Sequence, residues 1–395
     1  MKYKFLVGFF ARILNVFVPV KKNSWIFGSD FGNSYKEGSK YLIEYMIDQH
    51  PEVNVVFITS NRNVELALRK KGIPCYLNNS LKGLWTILQA QAVFTTQSSE
   101  RDILFAYPKK NRHFYYLVHG MPLKIALNAL PPNYVKDLLG LKSSRLKDTL
   151  FSYFVLSAAM KDISFVSASS DFLKPYLEMD FPEHVAVKVL GMPRNDGLFD
   201  AAYMQGEKWM EGLEGKLVIT YMPTHRKYGM GETSPTLFIQ NDAVKQWLQE
   251  HNVVILIKNH PNMINKIAET SSNACILDIS KMELDPQVVI FHSDILITDY
   301  SSVWIDYLLL KRPILFYLYD DFEQNDVGCH YDIRIDPAGH FCYSEEDLFE
   351  AIKKIKSNYE AMCPSKEVVQ KYHKYVDNKS CERYYEEISR MLKNQ

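Results

Sequence analysis

The chain has 395 residues, room for two domains of ordinary size, and its 47% apolar and 23% charged residues are the balance of a globular protein. Its 46 Lys and Arg equal its 46 Asp and Glu, so no net field attracts nucleic acid, and no basic–aromatic interleaving of the RNA-binding kind occurs. Six cysteines, none in a Cys-x-x-Cys pair and none with histidine at zinc spacing, read as scattered free thiols of a reducing compartment.

At the start, Phe5, Leu6, Phe9, Phe10, Ile13, Leu14 and Phe17 follow Lys2 and Lys4 and recur at three and four residues, which puts them on one helix face. A helix over 5–20 is roughly 24 Å long, short of a hydrocarbon core of roughly 30 Å. Arg12 and the lack of a small-residue cleavage site argue against a signal peptide. Residues 1–22 are therefore expected to form an amphipathic helix lying on a membrane surface. The other reading is a helix packed on the protein's own core.

From Trp25 onward strands alternate with helices. Strands are predicted at 25–28, 55–59, 73–76, 93–96, 115–118, 165–167 and 187–190, with helices over about 36–49 and 64–71, all within a first domain over 23–200. An insertion near 124–156 interrupts it, carrying Leu138, Leu139 and Leu141 beside Lys136, Lys142, Arg145 and Lys147. It reads either as a contact with anionic lipid or as an ordinary surface helix pair. The stretch 191–215, with Pro193, Gly197 and Gly206, is the join. A second domain over 215–365 repeats the pattern, with strands at 217–221, 253–258, 276–277, 295–298 and 314–317. A polar helical tail over 366–395 closes the chain. This alternation implies two doubly wound α/β domains with parallel sheets and a cleft between them.

In such sheets ligands bind outside the C-terminal ends of the strands. Five strand ends here carry reactive side chains beside Gly or Pro: His119-Gly-Met-Pro-Leu-Lys124, Gly191-Met-Pro-Arg194-Asn195-Asp196, Met222-Pro-Thr224-His-Arg226, Asn259-His260-Pro261 and Asp299-Tyr-Ser301-Ser302. One is routine loop chemistry; five are more than turns require. In the last, an apolar strand runs into a turn that opens a helix, so Ser301 and Ser302 sit where unpaired amides favour an anion such as phosphate. The alternative is that Asp299 and the serines only cap that helix. No dinucleotide-binding Gly-x-Gly-x-x-Gly, P-loop, Gly-x-Ser-x-Gly elbow or kinase catalytic loop is present.

Taken in order, these motifs resemble the CDP-glycerol glycerophosphotransferase family, which builds teichoic acids and related polyol-phosphate polymers. Phe27-Gly-Ser-Asp-Phe-Gly32 and Ser39-Lys-Tyr-Leu42 are similar to its N-terminal signature, and the resemblance spans about 25–320. It implies a GT-B-like fold of two Rossmann-type domains, often with a C-terminal helix crossing back. It also implies attack by an acceptor hydroxyl on the phosphorus that bears glycerol in CDP-glycerol, with release of CMP.

On that reading His119 is the general base, because a neutral imidazole at a strand end suits the task; the alternative is a histidine that orders the Gly120 turn. Ser301, Ser302, His260 and Arg226 would hold the donor pyrophosphate. Thr224 and Asp299 are further donor or turn contacts. Arg194, Asn195 and Asp196 serve either the hinge or the ligand, and Lys124 meets either the acceptor's phosphate or solvent.

No tightly bound cofactor and no metal-ligand cluster are expected, although Mg²⁺ carried in with the donor stays open. The implied partners are a CDP-glycerol or related CDP-polyol donor such as CDP-ribitol, a lipid-linked or polyol-phosphate acceptor and a membrane surface, with the protein peripheral on the cytoplasmic face. Met121 stands where the family usually has threonine, His225 where it has an aromatic residue, and the late turn survives only as Asp336-Pro-Ala-Gly339. These departures bear on the identity of polyol and acceptor. The competing readings are a GT-B glycosyltransferase using a nucleotide sugar and a non-catalytic module that kept the fold.

Overall fold

The computed structural model describes residues 2–125, 153–155, 160–204, 210, 212–224, 241–259, 275–319, 328–335 and 337–393. They divide into two compact units. Met1–Met121, Ala126–Asp196 and Asp377–Gln395 form one, and Pro122–Ile125 with Gly197–Val376 form the other.

The first unit holds a parallel sheet of seven strands in the order β3-β2-β1-β4-β5-β6-β7: β1 Ser24–Phe27, β2 Asn54–Thr59, β3 Cys75–Leu77, β4 Ala92–Thr95, β5 His113–Tyr116, β6 Ile163–Ala168 and β7 Ala186–Val189. Helices α1 Lys2–Phe17, α2 Glu37–Gln49, α3 Arg62–Lys70, α4 Leu81–Gln89 and α5 Lys174–Asp180 accompany it. β1 and β4 are buried at every position, as expected of strands covered on both faces.

The second unit repeats the scheme with six parallel strands in the order β10-β9-β8-β11-β12-β13: β8 Leu217–Tyr221, β9 Val253–Ile257, β10 Ile276–Asp278, β11 Ile295–Thr298, β12 Ile314–Tyr317 and β13 His340–Cys342. Its helices are α6 Ala201–Met204, α7 Asp242–Glu250, α8 Pro286–Phe291, α9 Val303–Tyr307, α10 Glu345–Ser357 and α11 Lys366–Tyr372. The last helix, α12 Ser380–Lys393, belongs to the first unit. In each sheet the strand order reverses once, between β1 and β4 and between β8 and β11. That reversal opens the crevice in which doubly wound sheets bind ligands.

Several elements differ from the sequence reading. The tail expected as one helix is two, because His373 turns extended (φ −133, ψ 111) with its imidazole 2.6 Å from the Ile305 carbonyl. The chain re-enters a helix only after the Asp377 side chain accepts the Lys379 N–H. Helix α4 was not expected. Gly83 lies inside it because a Cβ there would sit 1.9 Å from the Leu77 carbonyl oxygen, and Ser80 caps it. The edge strand β13 was too short to read.

Helix α1 packs on the first unit along a narrow stripe. Gly8 rests against the Phe154 carbonyl, Ala11 is fully buried with Phe105, Tyr107 and Val155, and Asn15 accepts from Arg112 (3.1 Å). Lys109 donates to the Val18 carbonyl beyond its end (2.8 Å). Buried Arg112 also donates to the carbonyls of Ile87, Leu88 and Ala90 where α4 ends. The opposite face, with Leu6, Phe9, Phe10, Ile13, Leu14 and Phe17, is exposed. Among the described residues no helix is long and apolar enough to cross a membrane. Of the 124–156 insertion, only 124–125 and 153–155 are described.

Candidate active site

In the second unit the site residues gather at the switch point. β8 and β11 are parallel neighbours, so their C-terminal loops emerge side by side. The loops are tied together: Thr298 Oγ1 donates to the Met222 carbonyl (2.7 Å), and the Thr224 amide donates to Asp299 Oδ1 (2.8 Å). Asp299 is fully buried, so its carboxylate braces the turn from below. Ser301 and Ser302 stand half-buried above it, at the start of α9. Ser302 is the residue before the helix, yet its side chain makes no capping bond. The hydroxyl of Thr224 is buried and finds no hydrogen bond among the described residues. Such a hydroxyl costs about 1–3 kcal/mol unless a partner arrives. Amides, hydroxyls and a donor with no partner among the described residues, set at a strand-end crevice, are groups of the kind that bind phosphate. In the next loop, the Asn259 amide donates to Ser280 Oγ (2.8 Å). Arg226 and His260 lie outside the described residues.

In the first unit, the loop after β1 and the loop after β4 flank the other switch point. Asp102, fully buried, accepts four backbone N–H groups with its two oxygens: Phe31 (2.8 Å) and Ser98 (3.2 Å) on one, Thr96 (2.7 Å) and Gln97 (2.8 Å) on the other. Burial nevertheless pushes its carboxyl above the usual range. This brace holds Asp30 (φ 50) and Phe31 (φ 55) in the left-handed region, strain that survives only where surroundings fix it.

His119 follows β5 by three residues and is exposed. Its carbonyl accepts from Arg194 Nη1, its Nδ1 lies 3.5 Å from the Tyr116 hydroxyl, and Arg194 pairs with Glu37 at the start of α2 (3.3 Å). Glu37, Gln97 and Tyr116 were not among the residues singled out from the sequence. The signal was there in part, since Glu37 adjoins the Ser39-Lys-Tyr-Leu42 signature.

Other candidates are placed differently. Asp196 accepts the amides of Ser380 (2.9 Å) and Cys381 (2.7 Å), so it caps α12. Burial raises its carboxyl pKa against those bonds. Asn195 is buried beside it, its amide donating to the Met192 carbonyl (2.9 Å). Lys124 forms an antiparallel bridge with Cys329 in the second unit. Met121 is buried, and its sulfur accepts the Ser169 amide (3.2 Å). Among the described residues no cluster of three His, Cys, Asp or Glu side chains forms a metal-ligand set.

Two Rossmann-type parallel sheets in one chain, each with polar loops at its switch point, define the GT-B-like class of α/β proteins. Within that class, the chain belongs to the CDP-glycerol:poly(glycerophosphate) glycerophosphotransferase family, whose pattern matches residues 10–390. It is 28% identical over 360 residues to the teichoic acid poly(glycerol phosphate) polymerase of Bacillus subtilis (strain 168), covering 86% of this chain and 45% of that protein. The chain thus spans less than half the length of that relative. The teichoic acid glycerol-phosphate transferase of Staphylococcus aureus (strain NCTC 8325 / PS 47) is 28% identical over 386 residues, 93% of each chain. A solved structure of a variant of the wall teichoic acid polymerase TagF, soaked with CDPG, matches at a TM-score of 0.73 and 22% identity over 100% of this chain and 93% of that one. At that identity the likeness establishes the fold.

Proposed function

We propose that this chain transfers a polyol phosphate, glycerol phosphate foremost, from a CDP-activated donor to a hydroxyl of a lipid-linked or polyol-phosphate acceptor in the synthesis of a teichoic-acid-type polymer. The observation that carries the reading is the pair of polar strand-end clusters in a chain of this family: phosphate-type groups on one unit and an exposed histidine on the other. The second unit holds the donor, with Ser301, Ser302, the α9 amides and the Thr224 hydroxyl on its phosphates, joined by Arg226 and His260 from the motif. The first unit supplies the base. The acceptor O–H gives its proton to His119 as its oxygen bonds to the phosphorus bearing the polyol. The bond from that phosphorus to the bridging oxygen breaks, and the oxygen leaves with CMP. Amides and hydroxyls aimed at the departing phosphate stabilise its growing charge.

The acceptor's lipid calls for a membrane surface, and the exposed apolar face of α1 supports a peripheral position on the cytoplasmic leaflet. Lys4, Lys21 and Lys22 are exposed along the same segment, whose first acidic residue is Asp30, so anionic lipid is favoured.

The test is CMP release from CDP-glycerol or CDP-ribitol with a lipid-linked acceptor. Acceptor-dependent CMP that falls by roughly 10²–10⁴-fold in His119→Ala is the expected result. No CMP from either donor, with turnover of a nucleotide sugar instead, sinks the proposal.

A further inference from the structure

Around His119 the hydrogen bonds close into a ring. Tyr116 Oη donates to the Gln97 carbonyl (3.2 Å); Gln97 Nε2 donates to Glu37 Oε1 (3.3 Å); Arg194 Nη1 bridges Glu37 Oε2 (3.3 Å) and the His119 carbonyl; and His119 Nδ1 returns to Tyr116 Oη (3.5 Å). The members come from four separate segments of the chain, and Tyr116, Glu37 and Arg194 are largely buried around an exposed imidazole. Glu37 holds φ 63, a left-handed conformation that costs energy in a glutamate. Its backbone is held where its carboxylate can meet both Gln97 and Arg194.

The direction of the bonds sets the chemistry. A phenol has one proton, and that of Tyr116 is directed at the Gln97 carbonyl. Burial raises the Tyr116 pKa, so the phenol stays neutral. Toward His119 its oxygen is then the acceptor and Nδ1 the donor. We infer that Tyr116 and Arg194 are positioning residues, with Glu37 and Gln97 behind them: together they fix the His119 ring and hold its proton on Nδ1, leaving the Nε2 lone pair for the acceptor hydroxyl. The contact is long at 3.5 Å, and hydrogen bonds to a catalytic group commonly tighten when substrate binds. Selection of a tautomer through the other ring nitrogen is the general means by which a histidine is readied as a base.

The inference rests on His119 being the base, and two measurements keep them apart. Nitrogen NMR on histidine-labelled protein at mildly alkaline pH, assigned with His119→Ala, reads the tautomer without turnover. The expected spectrum shows protonated Nδ1 and bare Nε2, moving toward the other tautomer in Tyr116→Phe. Kinetics with CDP-glycerol are expected to give a roughly 10–100-fold lower kcat in Tyr116→Phe, with donor KM within about twofold. Arg194→Met lowers kcat in the same way, alongside a lower Tm from the Glu37 carboxylate it strands. A wild-type spectrum with the proton on Nε2, or Tyr116→Phe with unchanged tautomer and kcat, overturns the positioning role. CMP release surviving in His119→Ala overturns the base instead.

Discussion

Thr224 offers a test of the proposed donor site at a single atom. Its hydroxyl is buried beside Asp299 with no hydrogen bond among the described residues, so Thr224→Val removes a group whose burial without a partner is unfavourable. Tm is expected to hold within about 2 °C or rise, while KM for the CDP donor rises. A fall in Tm with unchanged KM would make the hydroxyl structural. Single residues were also where sequence reading stopped short. His119, Ser301 and Ser302 stand out because a strand runs directly into each. Tyr116 and Gln97 do not, because an aromatic residue in a strand and a glutamine in a polar loop are ordinary until the fold closes them around one imidazole. Asp196 looked like its neighbour Arg194, and only its partners 184 and 185 residues away separate the two roles.

Two elements carry their own predictions. Helix α1 presents Phe10 at 53% and Phe17 at 76% exposure, so neither contributes much to the fold. Phe10→Glu and Phe17→Glu should each weaken sedimentation with anionic phospholipid vesicles by roughly tenfold or more, from the lost apolar transfer of about 1.5–3 kcal/mol, with Tm unchanged. Equal vesicle binding in both variants would remove α1 as the contact. The periodicity of α1 was legible from the first line of sequence. Which stripe packs inward was not, since that depends on Gly8 meeting the Phe154 carbonyl.

The second element is the break after α11. His373 is fully enclosed, and burial lowers its pKa below the usual 6.5, with the Ile305 bond and Asp306 opposing. The unfolded chain therefore binds this proton more readily than the folded one. Stability from this group rises with pH between its folded pKa and about 6.5, and is lost as pH falls through that window. Melting from pH 8 to 5 should show Tm falling below about pH 6.5, and less steeply in His373→Gln, which can still donate to Ile305. Matching slopes for both proteins would place the pH dependence elsewhere.

At the scale of the molecule, the last helix is part of the first unit. Cys381, Tyr384 and Ile388 are buried there. Arg383 donates to the Leu190 carbonyl (2.8 Å) and Tyr385 stacks on His50 at 3.5 Å. Gly191, at φ 83, has no room for a Cβ, which would lie 2.5 Å from Ser380 Oγ. Ending the chain at Val376 uncovers this apolar surface and strands the Asp196 carboxylate. The truncated protein is expected to be insoluble or to melt at least about 10 °C lower; a soluble product with the full-length Tm would contradict that. The two parallel sheets followed from strand–helix alternation, because buried parallel strands are continuous apolar runs such as Val253–Ile257. The break in the tail did not, because a polar helix pattern says nothing about which body it rests on.

That same interrupted chain path governs the order in which the protein matures. The first unit lacks its closing helix until 180 intervening residues, Gly197–Val376, have been made. At roughly 5–20 residues per second the ribosome needs roughly 9–36 s for that stretch. The second unit can fold in that interval, while the sheet that bears His119 waits with an open flank. The surroundings of His119 would then be among the last parts of the first unit to set, once Ser380–Lys393 has been made.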